Sequence, residues 1–461
     1  MALEYYTPGV YIEEVSGGSK PITAAPTNIT GFIGETRTGS VNKPVQITSW
    51  ADYFDTFIGY KLVDKVTPRG TVEKDANGNP VKENVPYEKS TELDWSVYGF
   101  FNNGGSKCFI VSVNNTGEIA DTTALELELK KAEDEAKSAK DKAAATKKVA
   151  ELKKEIESAS KSPKFDLTNA IIGNDGGPNN RSGLHCFKDA KEVALLAAPG
   201  VTNAAVQQEL LSYAEANGVF AILDAPKSLD ELKDFGLSTD LPGLSGLSAK
   251  CASKQAAIYF PWVNVYDPVT KADRAVAPSG FMAGVYGRVD SERGVHKAPA
   301  NEPVRLVTSL VYSLNDVEQE SLNMNGINCI RDFSDLGVRI WGARTTICAT
   351  DPEWRYINVR RLFNMVERSL EGGSKWAVFE PNDATLWATL SRNVTAFLTR
   401  IHSTGAFAGT LGEGFYVRCD ASTNPQENID AGIVTVEIGI APVKPAEFVV
   451  FRISQKAPNE S

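Results

Sequence analysis

The chain is poor in the residues that usually carry out chemistry. Histidine occurs three times in 461 residues, at His185, His296 and His402, and none stands in an H-x-x-x-H or H-E-x-x-H arrangement, which argues against a histidine metal site. The six cysteines (Cys108, Cys186, Cys251, Cys329, Cys348 and Cys419) include no C-x-x-C pair, so neither a zinc framework nor a dense disulfide scaffold is expected. Reduced thiols and folding in the cytosol follow as expectations. A phosphate loop needs G-x-x-x-x-G-K-[ST], and there is none; the glycine-rich "GNDGGPNNRSG" at 173–183 lacks a strand-to-helix context and reads as a loop. G-x-S-x-G is missing too, so no hydrolase nucleophile signature is visible. No apolar run approaches the roughly 18 residues of a membrane span, and the N-terminal "MALEYYTPGVYIEEV" has no basic segment followed by an apolar one. Positive charge is in deficit as well: a net charge of -10 excludes chain-wide binding to nucleic acid or anionic membranes, which depends on Lys and Arg. No cofactor, no metal and no enzymatic activity are expected.

What is present is an ordinary globular composition, with 42% hydrophobic and 9% aromatic residues, and a length that suits about three domains. The first residues read as an extended arm, "TPGVYIEEV" alternating before the helix-resistant "SGGSKPITAAPT". "SKCFIVSVNN" (106–115) is a strand candidate rich in β-branched residues. Residues 121–162 turn almost wholly to Ala, Lys, Glu, Asp, Ser and Leu, with seams stepping by four and three, and are expected to form a helical hairpin whose bland reading is a solvated decoration. "EVALLAAPG", "TNAAVQQELLSYAEANG" and "VFAILDAP" read as strand, helix and parallel strand, with Thr202 capping the helix and Gly218 ending it. "AAIYFPWVNVYDP" is a further strand.

"APSGFMAGVYGRVDSERG" reads as a helix capped by Ser279 and stopped at Gly294. Gly280, Gly284 and Gly287 recur on one face, which predicts that another backbone approaches there, since each glycine otherwise costs about 1 kcal/mol in a helix. Two amphipathic helices follow. The first is expected to start at Asp351-Pro352, with Val359, Leu362, Phe363, Val366 and Leu370 inward and Arg360, Asn364, Glu367 and Arg368 opposite. The second starts near Asp383 and buries Leu386, Leu390, Val394, Phe397, Leu398 and Ile401. Strand-like "GIVTVEIGIAPV" and "AEFVVFRISQ" end the chain. The fold class is α/β (α+β) and multidomain.

One stretch, "GRVDSERGVHKAPAN" at 287–301, concentrates polar groups. Arg288, Asp290, Glu292 and Arg293 have the residue types of an acid–base site, but no catalytic partner is visible elsewhere; they are expected to be paired within or between subunits. A nucleotide-dependent α/β enzyme and a monomeric binding module are the readings left open from other functional classes.

Six segments in order resemble the sheath proteins of contractile phage tails and of extracellular injection particles: "YTPGVYIEEV", "AAPG...FAILDAP", "IYFPWVNVYDP", "PSGFMAGVYGRVDSERGVHKAPANEP", "NGINCIRDFSDLGVRIWGARTT" and "GIAPVKPAEFVVFRISQ". The resemblance covers nearly everything except about 60–90 and 121–162. It implies a structural subunit, assembled in the bacterial cytoplasm as six-membered rings stacked helically around an inner tube, with baseplate and terminal cap proteins as partners. Contraction would drive the tube through a target envelope, with no nucleic acid bound and no membrane inserted. It further implies an N-terminal arm (1–25), an outer or middle part (26–299), an inner domain (300–445, joined by the N-terminal segment) and a C-terminal arm (446–461). Strands exchanged with other subunits would involve Val10, Tyr11, Ile12 and Glu13 at one end and Phe448, Val449, Val450, Phe451, Arg452 and Ile453 at the other. Arg355, Arg360, Arg361 and Arg368 are the candidates for facing the tube.

Overall fold

The computed structural model describes residues 21–64, 82–86, 90–116, 165–227, 252–268, 271–347, 350–448 and 450. The hairpin expected at 121–162, the arm residues Val10 to Glu13, and Val449 and Phe451 to Ile453 lie outside them. Two compact units are present: one joins the N-terminal segment through Ala25 to Met365–Val443, the other joins Pro26–Asn364 to the segment after Lys444. Residues 300–364 belong with the larger unit, where strands from this segment complete its sheet.

In the larger unit β1 (Thr30–Thr36) lies between β5 (Cys108–Asn115) and β6 (Leu195–Ala197), and the sheet continues through β7 (Phe220–Asp224), β8 (Ala256–Phe260) and β13 (Ile327–Phe333). These six strands run parallel. Antiparallel β2 (Val45–Ile47) closes one side, β14 (Gly337–Trp341) and the two-residue β11 (Glu302–Pro303) close the other, and β3 (Tyr60–Asp64) and β4 (Lys82–Pro86) pair antiparallel in a two-stranded sheet of their own. The parallel strands are apolar on both faces, as a sheet covered on both sides requires. Period two sorts them: Ile33, Leu196, Ala221, Leu223 and Ile258 join one core cluster, while their neighbours Phe32, Leu195, Phe220, Ile222 and Tyr259 join the other.

The first core is covered by α4 (Ala204–Asn217), which the helix pattern anticipated, although Asn203 rather than Thr202 caps it, accepting from the Ala205 amide. Gly218 ends it at φ +61, as expected of a left-handed stop. The helices α1 (Trp50–Tyr53) and α3 (Leu167–Ile172) precede it in the chain, with α2 (Glu92–Asn102) between them. The second core is covered by α2 and by α5 (Ser279–Arg293). A Cβ on Gly280 would lie 2.4 Å from the Ser96 carbonyl oxygen, and one on Gly284 would lie 2.4 Å from that of Phe100, so α2 is the backbone that the glycine stripe anticipated. Gly287 differs, since its nearest neighbour, the Gly104 oxygen, would be at an ordinary 3.5 Å. Ser279 is no side-chain cap; its amide and hydroxyl both donate to Asp224.

Two further expectations change. "AAIYFPWVNVYDP" is two strands, because Pro261 offers no amide to a ladder: β8 ends at Phe260, and β9 (Val263–Asp267) lies in a separate three-stranded sheet between β10 (Ala272–Val276) and β12 (Val307–Leu310). After α6 (Asp316–Met324), the next helix, α7 (Ile357–Gly373), begins five residues later than Asp351-Pro352 suggested. Thr345 donates its amide to the Arg355 carbonyl and Ile357 donates to Ala343, so this stretch pairs as a strand would before it can coil.

The division between the units falls inside α7. In the smaller unit α8 (Ala384–Ser403) starts at Asp383, whose carboxylate accepts from Thr385 and Leu386, and it buries all six residues expected of its inner face. Ile22 is buried there, a Cβ on Gly373 would approach it to 2.8 Å, and Arg400 donates to its carbonyl. Ala25 donates its amide to Ser369 Oγ at 2.8 Å. Beyond the short α9 (Leu411–Gly414), β15 (Phe415–Arg418) pairs antiparallel with β16 (Glu437–Ile440), and α10 (Gln426–Asp430) sits between them in sequence.

Candidate functional site

The charged stretch at the end of α5 separates into committed and exposed groups. Arg288, 6% exposed, donates to the carbonyls of Asn103 at 3.0 Å and Pro303 at 2.7 Å, and burial together with Arg305 lowers its pKa. Asp290 accepts a fork from Arg361 at 3.0 and 2.5 Å and the Thr27 hydroxyl at 2.6 Å. Arg361 also lies 4.6 Å over the Tyr286 ring. Lys297 donates to the Ala298 and Ala300 carbonyls. His296 has its pKa lowered by burial and by Arg293, while Glu292 and Arg293 themselves are exposed. The two innermost groups, Arg288 and Asp290, are thus fixed to partners in their own chain. A group held in this way is poorly placed to exchange protons with a substrate.

The arginines of α7 are not where the sequence put them. Arg360 and Arg361 are each 3% exposed, so they do not lie on the face opposite the apolar one. Arg360 Nε donates to Asn364 at 2.7 Å, and its guanidinium lies 4.6 Å from the Trp354 ring centre and 5.7 Å from that of Phe363. Asn364 exchanges two hydrogen bonds with Gln255. Hydropathy ranks such residues as surface; aromatic stacking and satisfied donors allow them inside. Arg355 and Arg368 are half-buried.

The C-terminal segment is held by one side chain. Glu447 accepts a fork from Arg344 (Nε to Oε1 and Nη2 to Oε2, both 2.8 Å), the Asn323 amide at 2.8 Å and the Tyr356 hydroxyl at 3.2 Å. Burial pushes its carboxyl up, but the hydrogen bonds from Arg344 and Asn323 outweigh this and hold it below the ordinary value. Immediately beyond, Phe448 is 74% exposed and Val450 78%. Sequence reading passed over Glu447; its one signal was a lone carboxylate inside "PAEFVVF".

In the smaller unit, β15 and β16 form a sheet of only two strands, and among the described residues neither has a second strand neighbour. Tyr416 is half exposed and donates to Glu437, and Arg418 reaches the same carboxylate at 3.6 Å. A two-stranded ribbon is marginal alone, and its outer edges carry amides and carbonyls able to take up another strand. The sequence marked the donor-like segments but not this edge, since an open edge depends on which strands fail to arrive.

Comparison with known proteins follows the same lines. Residues 187–346 match the phage tail sheath protein central domain, and residues 349–456 the phage tail sheath C-terminal domain. The tail sheath protein of Burkholderia phage BcepMu is 26% identical over 459 residues, spanning 93% of this chain and 92% of that one. Among solved structures, the PVC sheath complex of an extracellular contractile injection system in the contracted state superposes with a TM-score of 0.65 at 26% identity, covering 99% of both chains. The contracted helical sheath of the anti-feeding prophage gives 0.63 at 26% identity, covering 98% of this chain and 100% of that one.

Proposed function

Because this chain belongs to the family of contractile tail sheath proteins, structural subunits of phage tails and contractile injection systems, we propose that it polymerises as stacked hexameric rings around an inner tube and shortens to drive that tube through a target envelope. Assembly takes place in the bacterial cytoplasm, with the tube, baseplate and terminal cap proteins as partners. No helix among the described residues is long and apolar enough to cross a membrane.

The observation that carries this reading is the β15–β16 sheet, whose two strands have no further strand neighbour among the described residues. An arm donated by another subunit would satisfy its edges, and the exposed, alternating Phe448 and Val450 have the character of such a donor. A folded body joined to its neighbours by strands can change its packing while the links persist, and the energy for shortening would then be the difference in subunit contacts between two states. Of the four arginines expected to face the tube, Arg360 and Arg361 are buried, and Arg355 and Arg368, half-buried, are the contacts proposed. Cross-linking that joins these two only to other sheath subunits would remove them as well.

The test is electron microscopy of the expressed chain. Long tubes are expected from the full-length protein. Removal of residues 1–20 or 448–461, or proline at Ile12 or Val450, should leave a folded body that builds no long sheath, because proline removes a ladder donor in mid-strand. Arm-deleted protein that still built sheaths of normal length would sink the strand-exchange reading. Replacing 121–162 with a short Gly/Ser linker should leave assembly intact.

A further inference from the structure

We propose that the Glu447–Arg344 pair is a latch that fixes where the C-terminal arm leaves its own subunit, so that the donated strand starts at Phe448 and not at Lys444. The inference rests on the arm-donation reading above and adds a positioning residue to it. Between Val443, whose amide donates to the Ala406 carbonyl at 3.1 Å, and Glu447 the chain belongs to no strand or helix. Glu447 is nonetheless held from three sides, by the fork from Arg344, by Asn323 and by Tyr356.

Arg344 is itself immobilised. Its backbone exchanges two bonds with the Asn328 side chain (2.7 and 2.8 Å), its Nη1 donates to the Asn323 carbonyl at 2.8 Å, and it is only 8% exposed. A planar fork on a fixed stem imposes direction as well as attraction. Such an anchor is out of proportion to a passive tail, because the two described residues beyond it have their side chains largely in water. If Glu447 let go, the arm would gain four residues of slack, about 13 Å at roughly 3.3 Å per residue. Slack of that size lowers the effective concentration of the arm at a neighbouring edge and lets its register wander.

The test uses full-length protein carrying Cys251→Ser and Cys348→Ser, the other four cysteines being buried, with a spin label at Ala446→Cys. Glu447→Ala and Arg344→Met should each mobilise the label in unassembled protein. Each should also cut the yield of long sheaths about tenfold, the equivalent of one charge-assisted hydrogen bond of about 1.4 kcal/mol. In label mobility the double variant should be no worse than Glu447→Ala alone, because without the carboxylate the Arg344 fork has nothing left to hold. Should Arg344→Met fail to fold by circular dichroism, Arg344→Lys keeps charge and packing, loses the fork, and should give intermediate mobility. An immobile label or normal sheaths with Glu447→Ala, while deletion of 448–461 abolishes sheaths, would overturn the latch and leave arm donation standing. Normal sheaths from the deletion would overturn both.

Discussion

The unit built on the nine-stranded sheet takes one ion pair fully out of water and fixes it; a pair in the unit of 365–443 stays wet. Arg361 and Asp290 meet at 2.5 Å with side chains 3% and 4% exposed, whereas Arg418 and Glu437 stand 3.6 Å apart at 55% and 47%. The strands differ in the same sense. The large sheet ends in short antiparallel strands that blunt its edges, and the small one has two strands with no further neighbour among the described residues. Separating a buried ion pair leaves an uncompensated charge out of water and is costly, so the large unit is the one suited to keep its shape while its surroundings change. The small unit is suited to be completed from outside.

The sharpest way to break this contrast is to remove one member of the buried pair. Arg361→Met leaves Asp290 desolvated without its main partner and should cost about 3–5 kcal/mol in urea unfolding. A cost below about 1 kcal/mol would mean that water reaches the pair and that the contrast is false.

Next comes pH. Asp224, at the end of β7, is pushed up to about 6 from 3.8 by burial, against hydrogen bonds from Ser279 and Gly200 that favour its ionised form. Because the folded value lies above the unfolded one, its stabilising contribution is fully present below about 3.8 and is lost as pH rises through about 6. Between pH 8 and pH 4 the wild type should gain up to about 3 kcal/mol from this group, a gain absent in Asp224→Asn. Urea midpoints of the two proteins that moved in parallel across this range would refute it.

The glycine stripe then gives a graded test. Gly280→Ala and Gly284→Ala force a methyl to 2.4 Å from a carbonyl of α2 and should each cost about 1–3 kcal/mol. Gly287→Ala has 3.5 Å available and should gain up to about 1 kcal/mol from helix propensity, so the three melting temperatures should split in sign. Smallest of all is Arg418→Ala in the wet pair, expected to change stability by about 0–1 kcal/mol and to lose even that in high salt.

Regular periodicity was what the sequence displayed well. The face of α8 was legible residue by residue, the βαβ unit of β6, α4 and β7 was legible as a parallel pair, and the glycines of α5 announced a close neighbour without naming α2. What stayed hidden needed information from distant sequence. Arg360 and Arg361 look like surface residues until Trp354, Asn364, Tyr286 and Asp290 gather around them, and nothing in "VRRLFN" reports those partners. The late start of α7 has the same origin, because the Arg355 carbonyl and the Ile357 amide are engaged by Thr345 and Ala343. Resemblance identified the family and suggested the arms, but the β15–β16 edge and Glu447 emerged only when strands and side chains could be matched to partners.

The smaller unit is assembled from pieces made far apart in time. Ile22 leaves the ribosome early and packs where Gly373 and Arg400 arrive some 350 residues later, about 20 seconds or more at bacterial elongation speeds of roughly 5–20 residues per second. Until then the β15–β16 ribbon does not exist, since its second strand is translated only at 437–440. If arms are donated as proposed, a nascent chain would have a nearly finished large sheet but no β15–β16 edge to which another chain's arm could attach. Under that proposal sequence order would act as a timer, keeping polysome-bound subunits from linking to one another before synthesis has passed the acceptor.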